Sequence, residues 1–201
     1  MRLLIIRHGE SEADVRKVHE GRADFELTGR GHRQAQAMAE FVKENYKVDV
    51  IYCSTLKRAY QTAEHLAKET GIGLIAEDRL REFNNGLLAG LSFEEADEKY
   101  PKQEHVPVHT SFYEQETALE FRFRADYMLS KILSENKTDA TVAIVTHGGM
   151  ILQLYRSFLK LPVDCGIVFA TGDTGIHEWY IGEKERFILR SNMTGHADGI
   201  S

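Results

Sequence analysis

The feature that most restricts the fold is the run Leu3-Leu4-Ile5-Ile6, apolar at every position and followed at once by Arg7-His8-Gly9-Glu10. A strand with one solvated face alternates apolar and polar residues. A run without alternation has to be covered on both sides, which places it inside a sheet flanked by other layers. Thr141-Val142-Ala143-Ile144-Val145 repeats the pattern and ends in Thr146-His147-Gly148-Gly149. Both runs therefore end abruptly in polar residues. The first delivers a fixed positive charge beside an imidazole, and a glycine that lets backbone approach a ligand closely.

The segments between these runs supply covering helices. Glu10 to Glu26 reads as loop with at most one turn of helix. Thr28 is a good N-cap for a helix to about Tyr46, with Ala35, Met38, Ala39 and Val42 as its buried stripe. Val48 to Cys53 predicts a second strand, ending at Ser54. The helix after it carries Leu56, Ala59, Tyr60, Ala63, Leu66 and Ala67 on one face and Arg58 in its first turn, and Gly71 stops it. Ile72 to Ala76 predicts a short third strand, and Asn84-Asn85-Gly86 a turn. A short helix near Phe93 to Tyr100 precedes an irregular excursion with Pro101 and Pro107. The spacing of Phe121, Ala125, Met128, Leu129, Ile132 and Leu133 predicts a helix from about Glu114 to Asn136. Another, with Ile151, Leu154, Tyr155 and Phe158, is closed by Pro162. Gly166–Thr171, Gly175–Ile181 and Arg186–Ser191 read as strands. This alternation predicts one α/β domain, with a mostly parallel sheet and helices on both sides.

With 201 residues, 42% hydrophobic and 28% charged, the chain has enough apolar material for a core without metal or disulfide staples. Its net charge of -6 argues against nucleic acid as a partner. The N-terminal apolar run is too short for a signal peptide or a membrane span, so a cytoplasmic protein is expected. Cys53 and Cys165 read as reduced, buried small hydrophobes. His105 and His109 flank Pro107, which makes them loop histidines rather than a metal pair.

In open α/β sheets, ligands bind beyond the carboxyl ends of the strands. Arg7 and His8 end one strand, Ser54 ends a second with Arg58 just beyond, and His147 ends a third. Two guanidiniums and two imidazoles on one rim suit a tetrahedral dianion, and helix starts near Arg58 and Gly148 add backbone N–H groups. Phosphoryl chemistry is the expectation. Arginines lower the pKa of a neighbouring histidine and keep it a neutral nucleophile, and they neutralise transition-state charge without a metal ion. A carboxyl group beside a bound phosphate dianion is driven toward its acid form and can protonate a leaving alkoxide. Glu77, Asp78, Glu82 and Glu10 are all candidates on residue chemistry alone.

In order along the chain stand Arg7-His8-Gly9-Glu10-Ser11, Gly21-Arg22, Leu27-Thr28-x-x-Gly31-x-x-Gln34-Ala35, Ser54-x-Leu56-x-Arg58-Ala59-x-Gln61-Thr62-Ala63, Glu82 before Gly86-x-x-x-Gly90, and Val145-Thr146-His147-Gly148-Gly149. Asn192-x-x-x-His196 follows near the end. In these segments the chain resembles the histidine phosphatase superfamily, with its phosphoglycerate mutase-like three-layer sandwich. The resemblance implies His8 as the phosphorylated nucleophile, Arg7, Arg58 and His147 as phosphate holders, and Glu82 as acid and base. It also implies residues 92 to 120 as a variable cap. Ser11, Gly21 and Arg22 are implied substrate contacts, joined by Asp14 and the backbone of Gly148.

Two positions depart from the pattern: Asp14 stands where relatives often carry Asn, and Glu26 where they carry Pro. A pocket-facing Asp14 would repel a second phosphate or a carboxylate. The expected activity is a metal-independent phosphomonoesterase acting on a small phosphorylated metabolite, with no cofactor. A cofactor-dependent phosphoglycerate mutase and a non-catalytic phosphate-ligand binder are the alternatives.

Overall fold

The apolar run at the start of the chain lies inside a six-stranded sheet, in a computed structural model that describes residues 1–200. The strands are β1 (Arg2–Arg7), β2 (Val50–Ser54), β3 (Leu74–Glu77), β4 (Thr141–Thr146), β5 (Ile176–Ile181) and β6 (Arg186–Met193). The helices are α1 (Glu12–Arg16), α2 (Gly29–Asn45), α3 (Lys57–Thr70), α4 (Phe93–Lys99), α5 (Ala118–Glu135) and α6 (Gly148–Phe158). The sheet order is β3-β2-β4-β1-β5-β6; the first four strands are parallel, and β5 runs antiparallel to both its neighbours.

Strand side chains alternate faces, so an unbroken apolar run serves two cores. Leu3 and Ile5, with Val142 and Ile144, pack against Phe121, Met128 and Ile132 of α5 and Ile151, Leu154 and Phe158 of α6. Leu4 and Ile6, with Ala143 and Val145, pack on the other face against Met38 and Val42 of α2 and Ala59, Ala63 and Leu66 of α3. Leu3 to Ile6 are fully buried. Each such side chain contributes about 1.5–3 kcal/mol of burial, the gain that opposes the entropy cost of ordering the chain. The result is the expected three-layer α/β sandwich.

Two sequence readings are corrected. Gly166–Thr171 is an irregular segment, not a strand. Both edges of β5, the strand that follows it, are already taken by β1 and β6, so it cannot pair there. Of its apolar residues only Phe169 finds a face, stacking on Tyr155 at 4.1 Å, while Ile167 and Val168 are exposed. Cys165, at its start, is accordingly half-buried, whereas Cys53 is buried. The long helix begins at Ala118 rather than near Glu114, because Thr117 and Glu120 form a capping box and Tyr113 and Glu114 both adopt positive φ, 54° and 60°. Consecutive left-handed residues cannot continue a right-handed helix. Among the described residues, no helix is long and apolar enough to cross a membrane.

Candidate active site

The strand register brings the predicted rim together. Arg7 pairs with Thr146 and Cys53 with Val145, so the residues that follow β1, β2 and β4 lie at one level. His8 anchors its backbone there by donating N–H to Thr146 O at 3.0 Å. The His8 and His147 rings meet edge to face with centroids 5.1 Å apart, both buried.

The hydrogen bonds fix the tautomer of His8. His8 Nδ1 lies 2.8 Å from Gly9 O, a carbonyl that only accepts, so the proton is on Nδ1 and Nε2 carries the lone pair. Arg58 Nε donates to that Nε2 at 3.2 Å. Burial, then the charges of Arg58 and Arg7, hold the His8 pKa well below the ordinary histidine value. His147 Nε2 is 2.8 Å from Ser54 Oγ, which already accepts the Leu56 N–H. The Ser54 hydroxyl can donate to Nε2 or accept from it, and His147 Nδ1 is buried without a protein partner. Burial and Arg58 also keep His147 neutral.

Arg58 is fully buried in the first turn of α3. Its Nη atoms donate to Ala23 O at 3.1 Å and Gly21 O at 3.0 Å, which fastens the loop after α1 over the site. Gly21 is required in that loop: φ is +46°, and a Cβ there would overlap the Asn85 side chain. Arg7 Nη1 donates to Thr171 O at 3.0 Å and lies 3.4 Å from Asp173, while Nη2 lies 3.6 Å from Asp14. Asp14 therefore faces the site. The irregular 166–171 segment has found a use at its end, where Thr171 is held by His177 Nε2 at 3.0 Å. Burial pushes the His177 pKa down to about 4, so the ring is neutral and accepts at Nδ1 from the Asn192 N–H.

Among the candidate carboxylates, geometry separates the four. Glu77 is paired with Lys131, Asp78 with Arg81 and Thr55, and Glu10 with Thr28 and Arg30. Glu82 instead caps the start of α6: Oε2 accepts Gly149 N–H at 2.9 Å and Oε1 accepts Phe83 N–H at 2.7 Å. A Cβ on Gly149 would come within 2.3 Å of Glu82 Oε1, so glycine is what admits the carboxylate. Arg124 holds the 79–82 backbone in place, donating to the carbonyls of Arg79, Arg81 and Glu82. Gly148, beside Glu82's anchor, leaves the space next to Arg7 Nε open.

Of the implied substrate contacts, Ser11 is buried and caps α1, bonding both Asp14 and Glu20 through its hydroxyl. Arg22 turns toward Glu116, 3.9 Å away, and lines a cavity with Asn84, Phe123 and Arg124. The 92–120 segment walls a second cavity, of about 510 Å³, with Tyr100, Val106, Phe112 and Tyr113, against Phe83 and Gln153. His105 and His109 are exposed in it.

A family model described as histidine phosphatase superfamily (branch 1) matches residues 3–194. The chain belongs to the histidine phosphatase superfamily. It is 28% identical to phosphoserine phosphatase 1 of Hydrogenobacter thermophilus, covering 98% of this chain and 94% of that protein. It is 33% identical to a 2,3-bisphosphoglycerate-dependent phosphoglycerate mutase of Cytophaga hutchinsonii, over 88% and 87% of the two chains. The structure of phosphoserine phosphatase from Entamoeba histolytica, solved with 3-phosphoglyceric acid, superposes with a TM-score of 0.79 at 26% identity, covering 98% of each chain. This histidine phosphatase is a phosphomonoester hydrolase, with the fold that its strand ends foretold.

Sequence reasoning missed Glu20, Asp173 and the Ser54–His147 contact as parts of this site. Ser54 was visible as a strand end. Glu20 and Asp173 lie in loops without periodicity, where one acidic residue looks like any other.

Proposed function

We propose that this histidine phosphatase cleaves a small phosphomonoester through a phosphohistidine on His8, without a metal ion. The observation that carries the reading is the bare Nε2 of a buried, neutral His8, set against Arg58 and beside His147. The Nε2 lone pair attacks phosphorus as the bond to the leaving oxygen breaks. Arg7, Arg58 and His147, whose Nδ1 has no protein partner, hold the phosphoryl oxygens as their charge redistributes. Glu82 in its acid form gives its proton to the leaving oxygen. The resulting carboxylate then takes a proton from water as that water attacks phosphorus, and the P–N bond electrons return to Nε2. The products are an alcohol and inorganic phosphate.

A carboxylate at the mouth supports hydrolysis over mutase chemistry. Asp14 lies 3.6 Å from Arg7 and opposes a bisphosphate cofactor or a carboxylate-rich substrate. The cavity walled by the 92–120 segment, which we read as the cap, is the space for the leaving group. A panel of phosphomonoesters with free-phosphate detection, run with and without EDTA, tests this. Phosphate release indifferent to EDTA is expected. Release that needs a divalent cation, or transfer between hydroxyls without release, would overturn it.

Glu82→Gln tests the acid role. For alkyl phosphates, the first turnover is expected to slow about 10²–10⁴-fold, while an aryl phosphate, whose leaving group needs no proton, keeps its burst. Equal slowing of both bursts would remove Glu82 from that role.

A further inference from the structure

Glu20 stands against His8 and Arg58, the groups to which the proposed function assigns the phosphoryl group. Its Oε2 lies 3.4 Å from Arg58 Nε and 3.7 Å from His8 Nε2, and its other oxygen is hydrogen-bonded to the Ser11 hydroxyl. A phosphoryl group that presents phosphorus to His8 and an oxygen to Arg58 must enter directly against this carboxyl group. Two anions cannot share that space without strong repulsion. Either the side chain leaves or it becomes neutral.

The surroundings favour neutralisation. The backbone is pinned on both sides of Glu20: His19 exchanges hydrogen bonds with Gly90 and Leu91, and Gly21 O and Ala23 O both accept from the buried Arg58. Ser11, its hydroxyl partner, is fully buried, and the Glu20 side chain is only 18% exposed. The charged and titratable groups facing it are Arg7 and His8 at the end of β1, Asp14 of α1 and Arg58 of α3. Of these, His8 is neutral and Asp14 is repulsive, so the Glu20 carboxylate is favoured by the two arginines and by the hydrogen bond from the Ser11 hydroxyl. An incoming phosphate would claim those same arginines.

We propose that Glu20 is a phosphoryl-binding residue that works as the neutral acid, so that the phosphate group enters with one proton taken up from solvent and the Glu20 O–H donates to a phosphoryl oxygen. This rests on the phosphoryl pocket at His8 proposed above. Burial already raises the Glu20 pKa, which lessens the cost of that proton. The consequence is a specificity setting: phosphate affinity falls as pH rises, while an amide at this position would bind without the proton.

Sulfate is the probe, because it is a dianion that does not itself titrate in the range of interest. Its binding is measured by calorimetry in buffers of differing ionisation enthalpy between about pH 5 and pH 8, with inhibition of turnover in parallel, for the wild type, Glu20→Gln and Glu20→Ala. Wild type is expected to take up one more proton than Glu20→Gln. Above the Glu20 titration its inhibition constant should rise about tenfold per pH unit relative to Glu20→Gln. Glu20→Gln should bind more tightly than either of the others near pH 8. Equal proton uptake by wild type and Glu20→Gln overturns the proposal, as does Glu20→Ala binding sulfate as tightly as Glu20→Gln, which would mean the carboxylate merely swings away. Sulfate that neither binds nor competes with substrate overturns the phosphoryl pocket itself, and the proposal with it.

Discussion

His8→Ala is expected to lower kcat by about 10⁴-fold or more while leaving sulfate affinity within a few-fold of wild type. Removing a nucleophile abolishes the covalent route and leaves only whatever catalysis binding and charge stabilisation provide. The ring makes two hydrogen bonds, donating to Gly9 O and accepting from Arg58 Nε, and its neighbours Arg7, Arg58 and His147 are each held by other groups as well. The anion site should therefore survive the substitution. Steady-state kinetics with sulfate inhibition checks this. A loss confined to KM, with kcat preserved, would make His8 a binding group and not the nucleophile.

Arg58→Met should be nearly as damaging, for three separable reasons. It removes a phosphoryl-binding cation, a loss on the order of 10³-fold in kcat/KM for an arginine in phosphoryl transfer. It also strands Glu20, Gly21 O and Ala23 O, a stability cost of roughly 3–5 kcal/mol by analogy with broken buried ion pairs. The third effect is on pH. Arg58 is the largest charge lowering the His8 pKa, so its removal lets that pKa rise and leaves less neutral nucleophile in mild acid. The acid limb of the kcat/KM profile should move to higher pH in Arg58→Met and stay near its wild-type position in Arg58→Lys, which keeps the charge. Equal shifts in the two variants would show that charge is not what holds His8 neutral.

The sheet and the histidine–arginine rim were legible because they follow from rules with long reach. An apolar run without alternation demands two cores, and Leu3 to Ile6 supply side chains to both. Parallel strands put their carboxyl ends on one edge, which brings Arg7, His8, Ser54 and His147 to one level from three separate segments. The start of α5 was misplaced near Glu114 by the apolar spacing, although the Thr117-x-x-Glu120 capping box carried a sharper boundary signal. Gly166–Thr171 misled for the opposite reason. Its apolar composition resembles a strand, but strand formation needs a partner edge, and local sequence carries no information about which edges other strands take, as β1 and β6 take both of β5.

Roles depended on partners more than on residue type. Glu10, Glu77, Asp78 and Glu82 are interchangeable as carboxylates, and three of them are set apart by ion pairs, Glu10 and Glu77 with the distant Arg30 and Lys131 and Asp78 with Arg81 three residues on. Glu20 enters the site only because Ser11 and Arg58 hold it there.

The covalent intermediate can be observed directly. Enzyme turning over a radiolabelled phosphomonoester is stopped within milliseconds in alkaline detergent, and the label on the protein is mapped to a residue. A P–N bond survives alkali and breaks in acid. Label on His8, lost on mild acid treatment and absent from His8→Ala, is the expected result. An acid-stable label on another residue, or rapid turnover with no labelled protein at any time, would contradict nucleophilic attack by His8.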